Sequence, residues 1–408
     1  MKNRQFIKKF TGDFLLNFIA TFLVTAMLQF MIYPLINHIL GNIVYGDFLT
    51  IIGIVNTLSA LVGSSLNNVR LIKNNDYERK HILGDFNILL LISSIIVVVI
   101  SFFVFSIYFD MNYGEAVGVA ALIFLLSGRS YWAVAYRIVL DYKKILLSNI
   151  FLAAGYLTGC VLVHVTKMWI FAFIVGEVFC IIYIMQTTRI IKEPFCFTPM
   201  IRGTLKDYGA IGLSTLSANI MIYLDRLILH PLLGGEAVTI YTIASLGGKY
   251  LGMVVTPLAG VLLSYYTQSD FIMTRKKYLL TSFVCIILCF CSLMVINPIA
   301  PVIAEILYPN AYEEALPLIG IANVGGILVV INNMIQPAFL KAVPTFWQLI
   351  KEVFYAVCYI LLGIYFLNSL GLWGFCIANI ISTVAKIFLI IIVGTFYCTK
   401  NGDLGVDR

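Results

Sequence analysis

Charge is what this chain of 408 residues has least of: Asp, Glu, Lys and Arg together make up 12% of it, where a soluble domain carries about 25%. That shortage excludes an ordinary water-soluble globule. Histidine is scarce too, and His38, His81, His164 and His230 have no metal-ligand spacing. No G-x-x-x-x-G-K-[ST] element occurs, since Gly248-Lys249 is followed by Tyr250, which argues against an ATP-driven pump. There is no Gly-x-Ser-x-Gly element, and no pair of catalytic carboxylates sits on an outer loop. No loop exceeds about 20 residues, so there is no room for a soluble catalytic domain. The expectation is a protein that is not an enzyme and holds no cofactor or metal. The nine cysteines are scattered, mostly inside apolar runs, and read as packing residues. Period-two alternation is absent as well, which excludes an outer-membrane barrel.

What the chain does have is apolar residues, 61% of the total, gathered in runs of the length a helix needs to cross a bilayer, about 20 residues. Backbone polar groups in hydrocarbon must be satisfied within the segment, so these runs are helices. Reading between polar breaks predicts twelve spans, near 13–36, 46–68, 86–108, 115–137, 145–165, 168–188, 208–230, 239–265, 278–300, 314–336, 346–367 and 372–397. The N-terminal MKNRQFIKKFTGDF is followed by no small-residue cleavage site and reads as the start of a retained first helix. The cations fall in alternate loops: Lys2, Arg4, Lys8 and Lys9, then Arg70 to Lys80, Arg137 to Lys144, Arg189 to Lys206, Arg275 to Lys277, Lys341, and Lys400 with Arg408. The opposite loops hold Lys167 alone. This positive-inside asymmetry places both termini in the cytoplasm and accounts for the net charge of +7 without nucleic acid.

Six spans precede the loop at 189–207 and six follow it, so the expected lobes are 1–200 and 201–408. A shift of 193 residues lays Leu40-Gly41 on Leu233-Gly234 and Phe48 on Tyr241. An even number of spans per half gives both halves one orientation, a parallel duplication with a cleft between lobes. The same shift carries Asn56, Ser59, Gly63 and Asn67 onto Lys249, Gly252, Thr256 and Gly260. At 100° per residue each set is one helical stripe. Asn17, Thr21, Thr25, Gln29 and Tyr33 form a third stripe, and Thr215, Asn219, Tyr223 and Arg226 a fourth. They read either as cavity lining or as the small and amide residues that let membrane helices pack.

Cations inside spans are harder to explain by packing, because a Lys or Arg at a helix centre costs about 3 kcal/mol on insertion scales. Lys249, Arg129 and Lys386 are the candidates for a cation-lined cavity, with Asn56 and Asn219 as polar neighbours. Arg226 reads as a structural ion pair with Asp225 or as a ligand contact. Lys351, beside Glu352, is placed to snorkel to the interface. Glu177 is the carboxylate nearest mid-depth: either the counter-ion of one of these cations or a proton or sodium site. Arg129, Lys249, Lys386 and Glu177 together leave +2 at mid-depth, which favours an anionic guest. Gly247-Gly248 and Pro257 read as bending points or packing sites.

The segments LGNIVYGDF (40–48) and YLDRLILHPLLGGEAVTIYTIA (223–244), in a duplicated basic chain of twelve spans, resemble the Wzx-type polysaccharide repeat-unit flippases. These share a superfamily with the multidrug and toxic compound extruders and the lipid II flippase. Asn42 stands where Pro is common and Thr239 where Gly is usual. The resemblance implies a MATE-like all-α membrane protein with two six-helix lobes around a central cavity. It further implies transport of undecaprenyl-pyrophosphate-linked oligosaccharide across the bacterial inner membrane by alternating access, for O-antigen (lipopolysaccharide), capsule or exopolysaccharide synthesis. The polymerase and chain-length regulator of that pathway would be partners. The residues leave open a cation-coupled small-molecule exporter, for which Glu177 is the foothold. A membrane glycosyltransferase or polymerase would need larger, more charged outer loops.

Overall fold

Long apolar runs satisfy their own backbone only by coiling, and the chain follows that rule throughout. The computed structural model describes residues 2–109, 111–266, 273–344 and 346–403, and among these the chain forms helices joined by short turns, with no strand. Side chains of Lys2, Arg4, Lys8, Lys9, Pro257, Gly260, Lys400 and Arg408 lie outside the described residues.

Twelve rods follow one another: α1 (Leu15–Leu40, continuous with the helix from Lys2), α2 (Asn42–Arg79), α3 (Phe86–Tyr108), α4 (Tyr113–Ile138), α5 (Tyr142–Thr166), α6 (Ile170–Thr187), α7 (201–233), α8 (235–266), α9 (Arg275–Leu307), α10 (Tyr312–Ala342), α11 (346–370) and α12 (372–403). Among the described residues eleven stretches are long and apolar enough to cross a membrane, the last of them, Phe346–Cys398, being α11 and α12 joined without a loop. Exposed Ile, Val and Phe side chains run the length of α3 and α9, including Ile95, Ile96, Val99, Phe103, Phe283, Ile287 and Phe290. Such surfaces belong in lipid, and the chain is a multi-pass membrane protein.

Where rods meet without a loop, a glycine takes a backbone that L-residues resist. Gly41 (φ 81°, ψ 173°) ends α1, and Gly234 (φ 80°, ψ −178°) ends α7. These two are equivalent under the 193-residue shift and share one conformation. Gly371 (φ 61°) separates α11 from α12. The repeat extends into the rods. Residues Leu28–Ile32 of α1 form a π-helical turn, and Tyr223, equivalent to Phe30, interrupts α7. Side-chain caps start other rods: Asn112 accepts from the Glu115 N–H, Asp141 from Lys144 and Thr274 from Lys277.

The rods group into two compact units that interleave along the chain. The first comprises Met1–Gly41 with Asp47–Leu227, the second Asn42–Gly46 with Ile228–Arg408. In the first, Val62, Leu66, Tyr77, Phe86, Tyr131 and Val134 form a core near the basic ends of the rods. In the second, Tyr278, Cys285, Ile327, Ile331, Phe339 and Ile390 do the same. Lipid tails are as apolar as leucine, so packing and hydrogen bonds rather than burial from water hold such rods together. Glycine supplies the close approaches: a Cβ on Gly155 of α5 would stand 2.6 Å from the Gly176 Cα of α6. In the second unit a Cβ on Gly248 of α8 would stand 2.6 Å from the Gly326 Cα of α10. Cys160, Cys180, Cys285, Cys289, Cys376 and Cys398 are buried free thiols.

Candidate functional sites in the two units

The contact of α5 with α6 builds the first site. With no side chain at Gly176, the Tyr156 ring lies directly over it, and its hydroxyl donates to Glu177 Oε1 at 3.3 Å. Arg129, from α4, donates through Nε to Glu177 Oε2 at 2.5 Å. Glu177 is fully buried. An ionised carboxylate survives there only with its charge and lone pairs answered, which Arg129 and Tyr156 do. Its two partners, but not Glu177 itself, line a cavity of about 320 Å³, with Thr21, Thr25, Tyr33, Asn56 and Asn149 among others. Within the Arg129–Glu177 pair the formal charges cancel.

The polar stripes divide between the two readings. Thr21, Thr25 and Tyr33 of the first rod and Asn56 of the second do line this cavity. Farther along α2, Gly63 lets the rod lie against the Ser127 carbonyl of α4. Asn67 there donates to Ser130 O at 2.7 Å and accepts from Arg137 at 2.6 Å. Those two are packing residues. Asn219 donates to Thr215 O on its own helix at 2.9 Å.

Arg226 is buried and donates through Nη1 to Leu49 O at 2.8 Å, its guanidinium 5.4 Å from the Tyr223 ring centroid. Tyr223 OH in turn accepts from Asn56 Nδ2 at 3.2 Å. The expected Asp225–Arg226 side-chain ion pair is not among the ion pairs of the described residues. Neighbouring residues on a helix diverge by 100°, and Asp225 Oδ1 accepts instead from the Arg226 backbone N–H at 2.8 Å.

The second unit gathers a cluster the stripes did not predict. Glu352 of α11 accepts from Lys351 at one oxygen and from Lys386 of α12 at the other, both at 2.8 Å. Lys351 also donates to Gln336 of α10, whose amide donates to Gln348 Oε1 at 2.7 Å. Lys386 lies 4.5 Å from the Tyr355 ring centroid. Lys351 does not snorkel: at 1% exposure it is among the most buried large side chains in the chain. The carboxylate and amides around it replace the water it would otherwise seek. Lys386 is buried as well, while the Glu352 side chain is 39% exposed.

Lys249 of α8 is half-buried, with its ammonium nitrogen out of solvent contact. The preceding Gly247 and Gly248 pack on α10, where Asn323 Oδ1 accepts from the Gly248 N–H at 3.3 Å. Two buried lysines of this unit, Lys351 and Lys386, therefore share one carboxylate, Glu352. Lys351 and Glu352 were the residues sequence reasoning missed in that role. The signal for them is electrostatic: Lys386, deep in a span, requires a carboxylate at matching depth on a neighbouring rod, and Glu352 is there.

No family model matches the chain, and no curated protein matches it. Solved structures do. A multidrug-resistance MATE-family transporter of the MOP superfamily, in its inward-facing conformation, superposes with a TM-score of 0.62 at 16% identity, over 92% of this chain and 94% of that one. The lipid II flippase MurJ, in an inward closed conformation, gives 0.62 at 14% identity, over 95% and 87%. A MOP-superfamily transporter from Pyrococcus furiosus, described as having a binding pocket of reversed polarity that suggests a different function, gives 0.57 at 15%, over 95% of each chain. The chain has the all-helical fold shared by these MOP-superfamily transporters.

Proposed function

We propose that the chain is a transporter, not an enzyme, that moves a lipid-linked oligosaccharide with a pyrophosphate head group between membrane leaflets. The reading that fits best is an undecaprenyl-pyrophosphate-linked repeat unit for O-antigen, capsule or exopolysaccharide, carried outward across the bacterial inner membrane by alternating access. Both termini would be cytoplasmic, and the halves 1–200 and 201–408 would act as the two repeated lobes. The polymerase and chain-length regulator of the pathway would act on its product.

One observation supports this above the others: two buried lysines, Lys351 and Lys386, share the one carboxylate of Glu352. Uncancelled positive charge in a membrane interior is costly unless an anion visits it. A pyrophosphate supplies that anion, hydroxyl and amide side chains suit its sugars, and the polyprenyl tail remains in lipid. Lys249 and Lys386 are the assigned head-group cations, with Arg226, Asn56 and Asn219 as polar contacts. Arg129 is assigned to hold Glu177.

A cation-coupled exporter of small molecules is the second reading, favoured by the cavity in the first unit. There Glu177, held by two of the lining residues, Arg129 and Tyr156, would be the group that exchanges a proton or a sodium ion. Proteoliposomes separate the two. With a labelled polyprenyl-pyrophosphate oligosaccharide, Lys249→Gln with Lys386→Gln should lower flipping at least tenfold. Full flipping by that double variant overturns the head-group assignment. Ion-driven transport of a cationic dye that Glu177→Gln abolishes would establish the exporter instead.

A further inference from the structure

Outside both sites, at the end of the first unit that carries the basic loops, an open pocket of about 470 Å³ lies between α2, α4 and the segment that follows α6. Arg70 forms its inner wall. Arg70 is 5% exposed, and its guanidinium stacks 4.6 Å from the Phe86 ring centroid and donates through Nη2 to Glu193 Oε1 at 2.9 Å. The other two donor nitrogens, Nε and Nη1, are buried and have no acceptor among the described residues. A buried arginine with two edges unanswered is costly, since each lost hydrogen bond leaves a desolvated donor behind. Arg189 and Lys192 line the same pocket and are exposed.

The carboxylates there do not cancel these cations. Glu78 accepts from Asn74 at 2.8 Å and Glu193 pairs with Arg70 through Oε1, its buried Oε2 having no donor among the described residues; three cations still face two acids, and one positive charge is left over. A ligand that matches must carry about one negative charge and several acceptor oxygens, able to reach more than one edge of a guanidinium. The rim adds a second condition. Leu83, which lines the pocket, is more than half exposed, as are Val139 and Phe195, next in the chain to the lining residues Ile138 and Pro194, and Phe197 beyond them. The chain around Phe195 and Phe197 is held beside Leu83 by the Asp85 N–H donating to Cys196 O at 2.8 Å. Apolar side chains around a basic pocket at the membrane boundary suit a head group whose tails lie alongside.

We propose that this pocket binds a phosphate group, with Arg70, Arg189 and Lys192 as its cations, and the apolar rim favours the phosphodiester of an anionic phospholipid as the source. The site is separate from Lys249, Lys386 and Glu177, and its test reads binding rather than transport.

The full chain is purified in detergent and its retained lipids counted by native mass spectrometry during titration with phosphatidylglycerol, phosphatidylcholine or inorganic phosphate; thermal unfolding is followed in parallel. Phosphatidylglycerol should bind at least tenfold tighter than phosphatidylcholine. Arg189→Gln with Lys192→Gln, both exposed and harmless to folding, should weaken it about tenfold, and Arg70→Gln at least as much. Phosphatidylglycerol binding without inorganic phosphate binding identifies the lipid source. Inorganic phosphate binding that the same variants weaken identifies a soluble one. No preference for phosphatidylglycerol together with no phosphate binding, or binding unchanged in Arg189→Gln/Lys192→Gln, overturns the proposal.

Discussion

Neutralising Glu352 tests whether the second unit's lysines are held together against their own repulsion. Each ammonium lies 2.8 Å from a different oxygen of that carboxylate. Ordinary carboxylate geometry then puts the two nitrogens about 6 Å apart, where like charges repel by about 3 kcal/mol at an effective dielectric of 20. Breaking a fully buried ion pair costs about 3–5 kcal/mol. Glu352 is 39% exposed, which screens part of this, so Glu352→Gln should destabilise the protein by about 2–3 kcal/mol. Lys386→Gln leaves Lys351 and Glu352 matched one to one and should cost under about 1 kcal/mol. Combining the two removes the repulsion and should recover at least half of the loss, a coupling of about 2 kcal/mol. Denaturation in mixed micelles, followed by tryptophan fluorescence from Trp347 and Trp373, measures all three variants. If Glu352→Gln is as stable as the parent, or if adding Lys386→Gln makes it worse, the lysines are not sharing that carboxylate and the excess charge is located elsewhere.

The first unit offers the parallel case: Arg129→Gln strands a fully buried Glu177 and should cost about 3–5 kcal/mol, most of it regained in Arg129→Gln/Glu177→Gln, as the same unfolding assay will show. Gly248→Ala sets a Cβ 2.6 Å from the Gly326 Cα, where neither backbone yields easily; a loss of about 1–3 kcal/mol or poor membrane yield is expected, and an unchanged melting curve would contradict the contact. Gly41→Ala and Gly234→Ala meet nothing within 4 Å but inherit a φ near 80°, so each should lose about 1 kcal/mol from backbone strain alone, and by equal amounts if the repeat is real. Burial lifts the Glu193 carboxyl above its ordinary range, against the pull of Arg70. Its contribution to stability is therefore full below the ordinary carboxylate range and declines as pH rises through the raised value, and Glu193→Gln should flatten that limb of the stability–pH curve.

Helices, their number and the equivalence of Leu40-Gly41 with Leu233-Gly234 were legible because hydrocarbon leaves the backbone few options and because glycine at a positive φ leaves a mark in sequence. That charged side chains lie inside the rods was legible too. Arg129, Lys386 and Glu177 lie inside rods as expected, and Lys351 and Glu352 join Lys386 there. What a one-dimensional reading did not give is where that charge resides. Arg129 is neutralised by a carboxylate 48 positions away, and the surplus falls on the rods of the second unit. Pairing depends on how each rod is rotated about its axis, and close glycine contacts such as Gly155 with Gly176 and Gly248 with Gly326 set that rotation. In sequence these glycines look the same as bending points. A mid-span cation therefore announces that a partner exists, while the small residues of the neighbouring rods decide whether that partner belongs to the protein or must arrive with the cargo. On that criterion Arg129 serves the fold, Lys386 shares its counter-ion with Lys351, and the lysines of the second unit are the place to look for an anionic guest.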